Sequence, residues 1–78
     1  MIDPLSPAPF YLQLADLIAG QIERGELTPG HPVPSESTLQ QEYGVSRGTV
    51  RHAIAVLRER GLVLTVPRGT FVKPSGPR

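Results

Sequence analysis

Apolar residues recur along this chain in two helical phases and one alternating phase, and each stretch predicts an element. Phe10, Leu14, Leu17, Ile18 and Ile22 stand three and four apart, the spacing that places side chains on one face of an α-helix. Gln13, Asp16, Glu23 and Arg24 fall mainly elsewhere, so a first helix is expected over residues 9–24, stopped by Gly25. A short second helix is expected between Ser35 and Gly44. Ser35 suits an N-cap, Glu36 puts a carboxylate where the helix dipole favours it, and Leu39 and Tyr43 supply an inward face. The third helix follows almost at once, with Ser46 as a second N-cap and Val45 placed to pack inward. Val50, Ala53, Ile54 and Leu57 fall at i, i+3, i+4 and i+7, which defines its buried stripe, and Gly61 ends it. Beyond Gly61 the period becomes two: Leu62, Leu64 and Val66 share one face, Val63 and Thr65 the other. Pro67-Arg68-Gly69 makes a turn and Thr70-Phe71-Val72-Lys73 returns, with Leu62, Leu64 and Phe71 expected to close the helical core.

The segments between are read from their prolines and glycines. Residues 1–8, with Pro4 and Pro7, are expected to form an extended, flexible leader, and residues 74–78 a flexible tail. Residues 26–34 hold Pro29, Gly30, Pro32 and Pro34, which makes them a rigid connector in which Val33 pairs briefly as a strand and His31 is a loop residue. The folded unit therefore spans 9–73 and is mainly α with a small antiparallel β-hairpin. Two helices joined through Gly44-Val45-Ser46, the second presenting its start outward, make a helix-turn-helix, and the appended hairpin makes it winged.

Composition narrows the function. A chain of 78 residues holds one small domain, which hides only about 60% of the surface its unfolded form exposes. Without cysteine it has no disulfide or thiolate metal site, and His31 and His52 are too few for a closed zinc centre, so no metal or cofactor is expected. No apolar run approaches the roughly 18 residues of a membrane helix, and the N-terminus lacks a basic region followed by an apolar core. The expectation is a soluble, unprocessed, cytoplasmic chain with no membrane partner. An enzyme is disfavoured, because there is no Cys/His pair, no paired carboxylates beside a pocket-forming segment and no phosphate-cradling glycine loop.

Charge changes the picture further. The net charge of +1 conceals a division: Asp3, Asp16, Glu23, Glu26, Glu36 and Glu42 against Arg24 give −5 over residues 1–43. Arg47, Arg51, Arg58, Arg60, Arg68, Lys73 and Arg78 against Glu59 give +6 over residues 44–78. The basic half contains the third helix, whose Arg47, Thr49, Arg51 and His52 lie off the buried stripe. That pattern points to nucleic-acid recognition, while the acidic outer face of the first helix should stay away from phosphates. Arg58 and Arg60 suit the C-terminal dipole of the third helix, and Phe10 and Tyr11 suit core or dimer packing.

The chain resembles the N-terminal DNA-binding domain of the GntR family of bacterial transcription regulators over residues 9–72. The resemblance is carried by Phe10-Tyr11-Leu12-Gln13-Leu14, Gly25-Glu26-Leu27-Thr28-Pro29-Gly30 and Pro34-Ser35-Glu36. It continues through Val45-Ser46-Arg47-Gly48-Thr49-Val50-Arg51, Leu57, Gly61-Leu62 and Arg68-Gly69-Thr70-Phe71-Val72. It implies a regulator, expected to be a repressor, that binds double-stranded operator DNA, palindromic and met by a dimer, with the third helix in the major groove and the wing tip in the minor groove. Arg47 and Arg51, four apart, are then the leading base readers, since arginine can grip guanine O6 and N7 together. Ser46 and Thr49 hydroxyls and the free amides of the helix start suit phosphate oxygens, as does Ser35 at the other cap, and His52 is solvated or a secondary phosphate contact. Arg68 is placed to enter a minor groove and Gly69 to allow close backbone approach.

Three positions depart from the family pattern. Ser37 stands where members usually carry an arginine, Pro67 where many wings have glycine, and Gly48 where a side chain often adds a base contact. The resemblance also implies a small-molecule domain outside these residues, so no effector site is expected in this chain, and self-association should be weak and favoured on DNA. The alternative reading is a winged helix used as a protein interaction module without its own DNA target.

Overall fold

The computed structural model describes residues 2–74. Its element order is α1 (Phe10–Glu23), α2 (Glu36–Tyr43), α3 (Arg47–Glu59), β1 (Val63–Val66) and β2 (Gly69–Val72), three helices followed by an antiparallel hairpin. Both serine caps form as the sequence predicts. Ser35 Oγ accepts the Thr38 amide at 3.1 Å and Ser46 Oγ accepts the Thr49 amide at 3.1 Å, each satisfying an amide that the helix start leaves without a carbonyl. Between them Gly44 takes a left-handed conformation (φ 64°), which ends α2 and turns the chain into α3 within three residues.

The core is built where α1 crosses α3. Val50, Ala53, Ile54 and Leu57 of α3 are all buried, as their spacing predicts, and they meet Leu14, Ala15, Ile18 and Ala19 of α1, with Leu39 added from α2. The buried stripe of α1 is rotated from the expected one. Phe10 remains 42% exposed and Leu17 half-buried, while Ala15 and Ala19 go inside. The reason lies in close helix approach: small residues let two helices come together, whereas a bulky Phe10 at the helix start belongs at the rim.

The hairpin also inverts an expectation. Val63 (3% exposed) and Val72 (0%) form the inward pair, and Leu64 faces Phe71 on the other, half-buried side. Leu62, just before the strand, does pack against the core as expected. Leu62-Val63-Leu64 is apolar on both faces, so its alternation carries no phase. The phase is set by how the chain leaves Gly61, where the Leu62 amide bonds back to the Leu57 carbonyl at 3.0 Å. The turn is tighter than expected, since Gly69 already pairs with Val66 and leaves Pro67 and Arg68 at the tip.

The proline connector lies along the free edge of β2. The Val33 amide donates to the Thr70 carbonyl (3.0 Å), the Val72 amide to the His31 carbonyl (2.8 Å) and the Gly30 amide to the Val72 carbonyl (2.8 Å), with the bridge itself at Pro32 and Phe71. Val33 is buried beneath this pairing. The leader is not extended but turns back on α1. Gln13 holds it, accepting the Asp3 amide (2.7 Å) and donating to the carbonyls of Asp3 (3.0 Å) and Ala8 (2.9 Å), while Ile2 packs on the core. Of the expected tail, residues 75–78 lie outside the described residues. Among the described residues no helix is long and apolar enough to cross a membrane.

Leu57→Ala should cost about 2–5 kcal/mol by removing a fully buried side chain from the α1/α3 contact. In urea unfolding, Val63→Ala should lower the midpoint more than Leu64→Ala; the reverse order would contradict the observed phase of the hairpin.

Candidate nucleic-acid interface

Three features converge on one side of the molecule: the N-terminus of α2, the flank of α3 from Val50 to Arg58 and the inner face of the wing. Between them lies a cleft of about 360 Å³ with Val33, Leu39, Val50 and Ile54 at its base and Ser35, Glu36, Arg51, Arg58, Thr65 and Thr70 around it. The buried stripe of α3 turns Arg47 and Arg51 outward, and their side chains are 65% and 59% exposed. They are not free. Arg47 Nε donates to Glu36 Oε1 at 3.3 Å and Arg51 Nε to Glu36 Oε2 at 3.0 Å, so one carboxylate of α2 bridges both arginines of α3.

Glu36 is the site residue that sequence reasoning missed. Its place directly after the Ser35 cap explains a carboxylate by the helix dipole alone, and the charge division assigned it to the acidic half. A helix-turn-helix sets the start of its first helix beside the start of its second, and that geometry is the signal that could have found it. The hydrogen bond from Arg51 holds the Glu36 carboxyl below its ordinary value, against a smaller opposing effect of desolvation, with Arg47 adding to the lowering.

The remaining predicted residues divide by position. Ser35 and Ser46 spend their hydroxyl protons on Thr38 Oγ1 and Thr49 Oγ1, both at 3.0 Å, so the hydroxyls with a proton left to donate are those of the threonines. Ser37 is exposed on the first turn of α2 and Gly48 on the first turn of α3, where an added Cβ would meet only Ser46 Oγ at 3.9 Å. Among the described residues, the amides of Glu36, Ser37, Arg47 and Gly48 have no protein acceptor, as expected for the first turns of two helices. His52 is stacked on Tyr11 of α1, with ring centroids 3.5 Å apart and planes within 8°. Tyr11 is thus both core packing and a stacking partner.

Arg68 stands at the wing tip with its guanidinium 5.5 Å from the centre of the Phe71 ring, a cation–π contact that rests it on the outer face of the hairpin. Gly69 follows with φ 141°, a conformation that side chains rarely adopt. Arg58 and Arg60 do more than complement a dipole: Arg58 Nη1 donates to Thr65 Oγ1 at 3.0 Å, tying α3 to the wing, and Arg60 Nη1 bonds Asp16 Oδ1 at 2.9 Å, tying it to α1. Among the described residues no group of three His, Cys, Asp or Glu side chains is arranged to hold a metal ion.

A model of the family described as bacterial regulatory proteins, gntR family, matches residues 10–72. The chain belongs to the GntR family. It is 52% identical over 66 residues to the mannosyl-D-glycerate transport/metabolism system repressor MngR of Escherichia coli, a match covering 83% of this chain and 28% of that protein. The chain thus spans little more than a quarter of that relative. Among solved structures it is similar to YtrA from Sulfolobus acidocaldarius, a GntR-family transcription factor, at TM-score 0.90 and 37% identity over 97% of this chain and 81% of that one. It also matches AraR(DBD) in complex with an operator at TM-score 0.82 and 40% identity, covering 92% of this chain and 90% of that one. The GntR relatives named here are regulators, and the winged arrangement of three helices and a hairpin is their fold.

Two outcomes are expected at this site. Gly48→Ala should raise stability by about 0.5–1 kcal/mol in thermal or urea unfolding, because it removes a helical glycine where there is room for a methyl group. Because the folded-state value of Glu36 is depressed, its ionic contribution is complete above the ordinary glutamate value of about 4.3 and fades as pH falls through the lower folded value. A carboxyl-carbon NMR titration should accordingly find the Glu36 midpoint raised by Arg51→Ala, and raised less by Arg47→Ala.

Proposed function

We propose that this chain is the sequence-specific double-stranded DNA-binding domain of a bacterial transcription regulator acting as a repressor in the cytoplasm. The observation that carries this reading is the pair Arg47 and Arg51, held side by side and exposed at the start of a helix whose opposite face is fully buried. A major groove admits such a helix, and each arginine can grip guanine O6 and N7 in a two-pronged contact. Helix starts with unpartnered amides at Glu36, Ser37, Arg47 and Gly48, together with the Thr38 and Thr49 hydroxyls, suit phosphate oxygens. Arg68 enters the adjacent minor groove from the wing, and Gly69 lets the backbone approach. The repressor among the relatives and the operator bound to AraR(DBD) support the same reading.

Binding as a pair to a palindromic operator follows from the usual geometry of such domains, with half-sites about one helical turn apart, and DNA itself favours the pairing. The base-reading pair is Arg47 and Arg51; Ser35, Ser37, Ser46, Gly48, Thr49 and His52 flank it and contribute at most phosphate or backbone contacts. Any effector response belongs to parts of a regulator beyond these residues.

Selection of bound duplexes from a random pool tests this reading, and recovery of no preferred sequence would sink it. With about four phosphates neutralised per protomer, the affinity of one protomer for a single half-site should fall on the order of a hundredfold between 50 and 200 mM salt. Arg47→Ala and Arg51→Ala should each reduce discrimination by about 1–3 kcal/mol, measured as the affinity ratio of selected to single-base-altered duplexes.

A further inference from the structure

Glu36 has more to do than stabilise a helix start. A carboxylate at the first position of α2 satisfies the dipole wherever its side chain points, yet this one spans to another helix and gives one oxygen to each arginine. Its backbone is held by the Ser35 cap on one side and the buried Leu39 on the other, and α3 is held by its own buried stripe, so the bridge joins two fixed points. The chemistry of the contact matters because a guanidinium has two forked edges. One is made by the terminal Nη pair, the other by Nε and its neighbouring Nη. In both arginines the bond to Glu36 uses Nε, which closes the side edge. Among the described residues neither Nη pair has a protein acceptor, which leaves the end edge open on side chains that are 65% and 59% exposed.

Resting on the DNA-reading role proposed above, we propose that Glu36 is a specificity-determining positioning residue: it stays bound to Nε of Arg47 and Arg51 in the DNA complex and makes each arginine read through its terminal Nη pair. Two consequences follow. An arginine restricted to one edge and one plane fits a base edge and adapts poorly to a phosphate, so discrimination rises. The carboxylate also reduces the local charge of two guanidiniums from +2 to +1, which weakens attraction to DNA of any sequence. Glu36 therefore trades general affinity for selectivity.

The test compares the chain with its Glu36→Gln variant on the selected duplex, on single-base-altered duplexes and on random duplex across a range of salt. The expected result is tighter binding to random duplex, a log–log salt slope steeper by about 1 unit, and a loss of discrimination of roughly fivefold or more. Equal loss of affinity for all duplexes would mean a structural role and overturns the proposal. So would loss of preference at one base pair alone, which would mean that Glu36 leaves the arginines to read a cytosine amino group itself. If the variant does not fold, the unaltered chain decides the matter by NMR. Slowly exchanging Nε–H signals of Arg47 and Arg51, unchanged on adding the selected duplex, are expected, and their loss overturns the proposal. An unaltered chain that prefers no duplex removes the DNA-reading role and this proposal together. One that discriminates, with a variant that discriminates equally well, removes only the proposal.

Discussion

Burial of Val50, Ala53, Ile54 and Leu57 against α1 fixes the rotation of α3 about its axis, and almost everything functional depends on that rotation. A helix turned by one residue would swing every side chain through about 100°, which would put Arg51 against the core and expose Val50. The apolar contact thus does two things at once. It supplies the principal stabilising term of a small domain, and it aims a set of polar side chains that make little contribution to that stability. No polar or charged residue is buried among the described residues, so the core has no polar network of its own to set its geometry. Shape and apolar area alone set it, with Ala15 and Ala19 permitting the close approach that holds the rotation.

The wing depends on the same contact at one remove. A two-stranded hairpin of this length is marginal in isolation. Here it is held by Val63 and Val72 beneath it, by the connector at Val33 bonded along the edge of β2, and by Arg58 reaching from α3 to Thr65. Arg58 reaches the hydroxyl pair of Thr65 and Thr70, which are 3.2 Å apart across the strands. These ties place the strands of the wing relative to α3, and with them the turn that carries Arg68. The proline-rich connector, which looks in sequence like a spacer, acts in the fold as a cover for a strand edge that would otherwise be open.

Electrostatics in the site runs against the charge division along the chain. The acidic first half and the basic second half do not form two separate surfaces. Asp16 meets Arg60, and Glu36 meets Arg47 and Arg51, so acid from the first half is placed into the basic region at chosen points. All of these pairs are solvent-exposed, and their value is more in orienting long flexible side chains than in holding the fold together. Arg68 is oriented differently, by the face of Phe71, which leaves its hydrogen-bond donors available.

The sequence by itself determined the elements and the outward face of α3. Three helices, both serine caps, the Gly44 turn and the whole buried stripe of α3 follow from local rules, because capping, glycine stops and a spacing of three and four need only neighbouring residues. Arg47, Thr49 and Arg51 could be placed outward for the same reason: once the stripe is known, the remaining positions are known. The phase of the hairpin, the rotation of α1 that leaves Phe10 at the rim, the folding back of the leader onto Gln13 and the Tyr11–His52 stack were decided only in the tertiary structure. Leu62-Val63-Leu64 is apolar on both faces and α1 carries apolar residues around much of its circumference, so local pattern offers two solutions and packing selects one. The bridge from Glu36 to the arginines was beyond sequence for a related reason. It joins residues 11 and 15 positions apart on two different helices, and only the angle of the Gly44 turn brings them within hydrogen-bond distance.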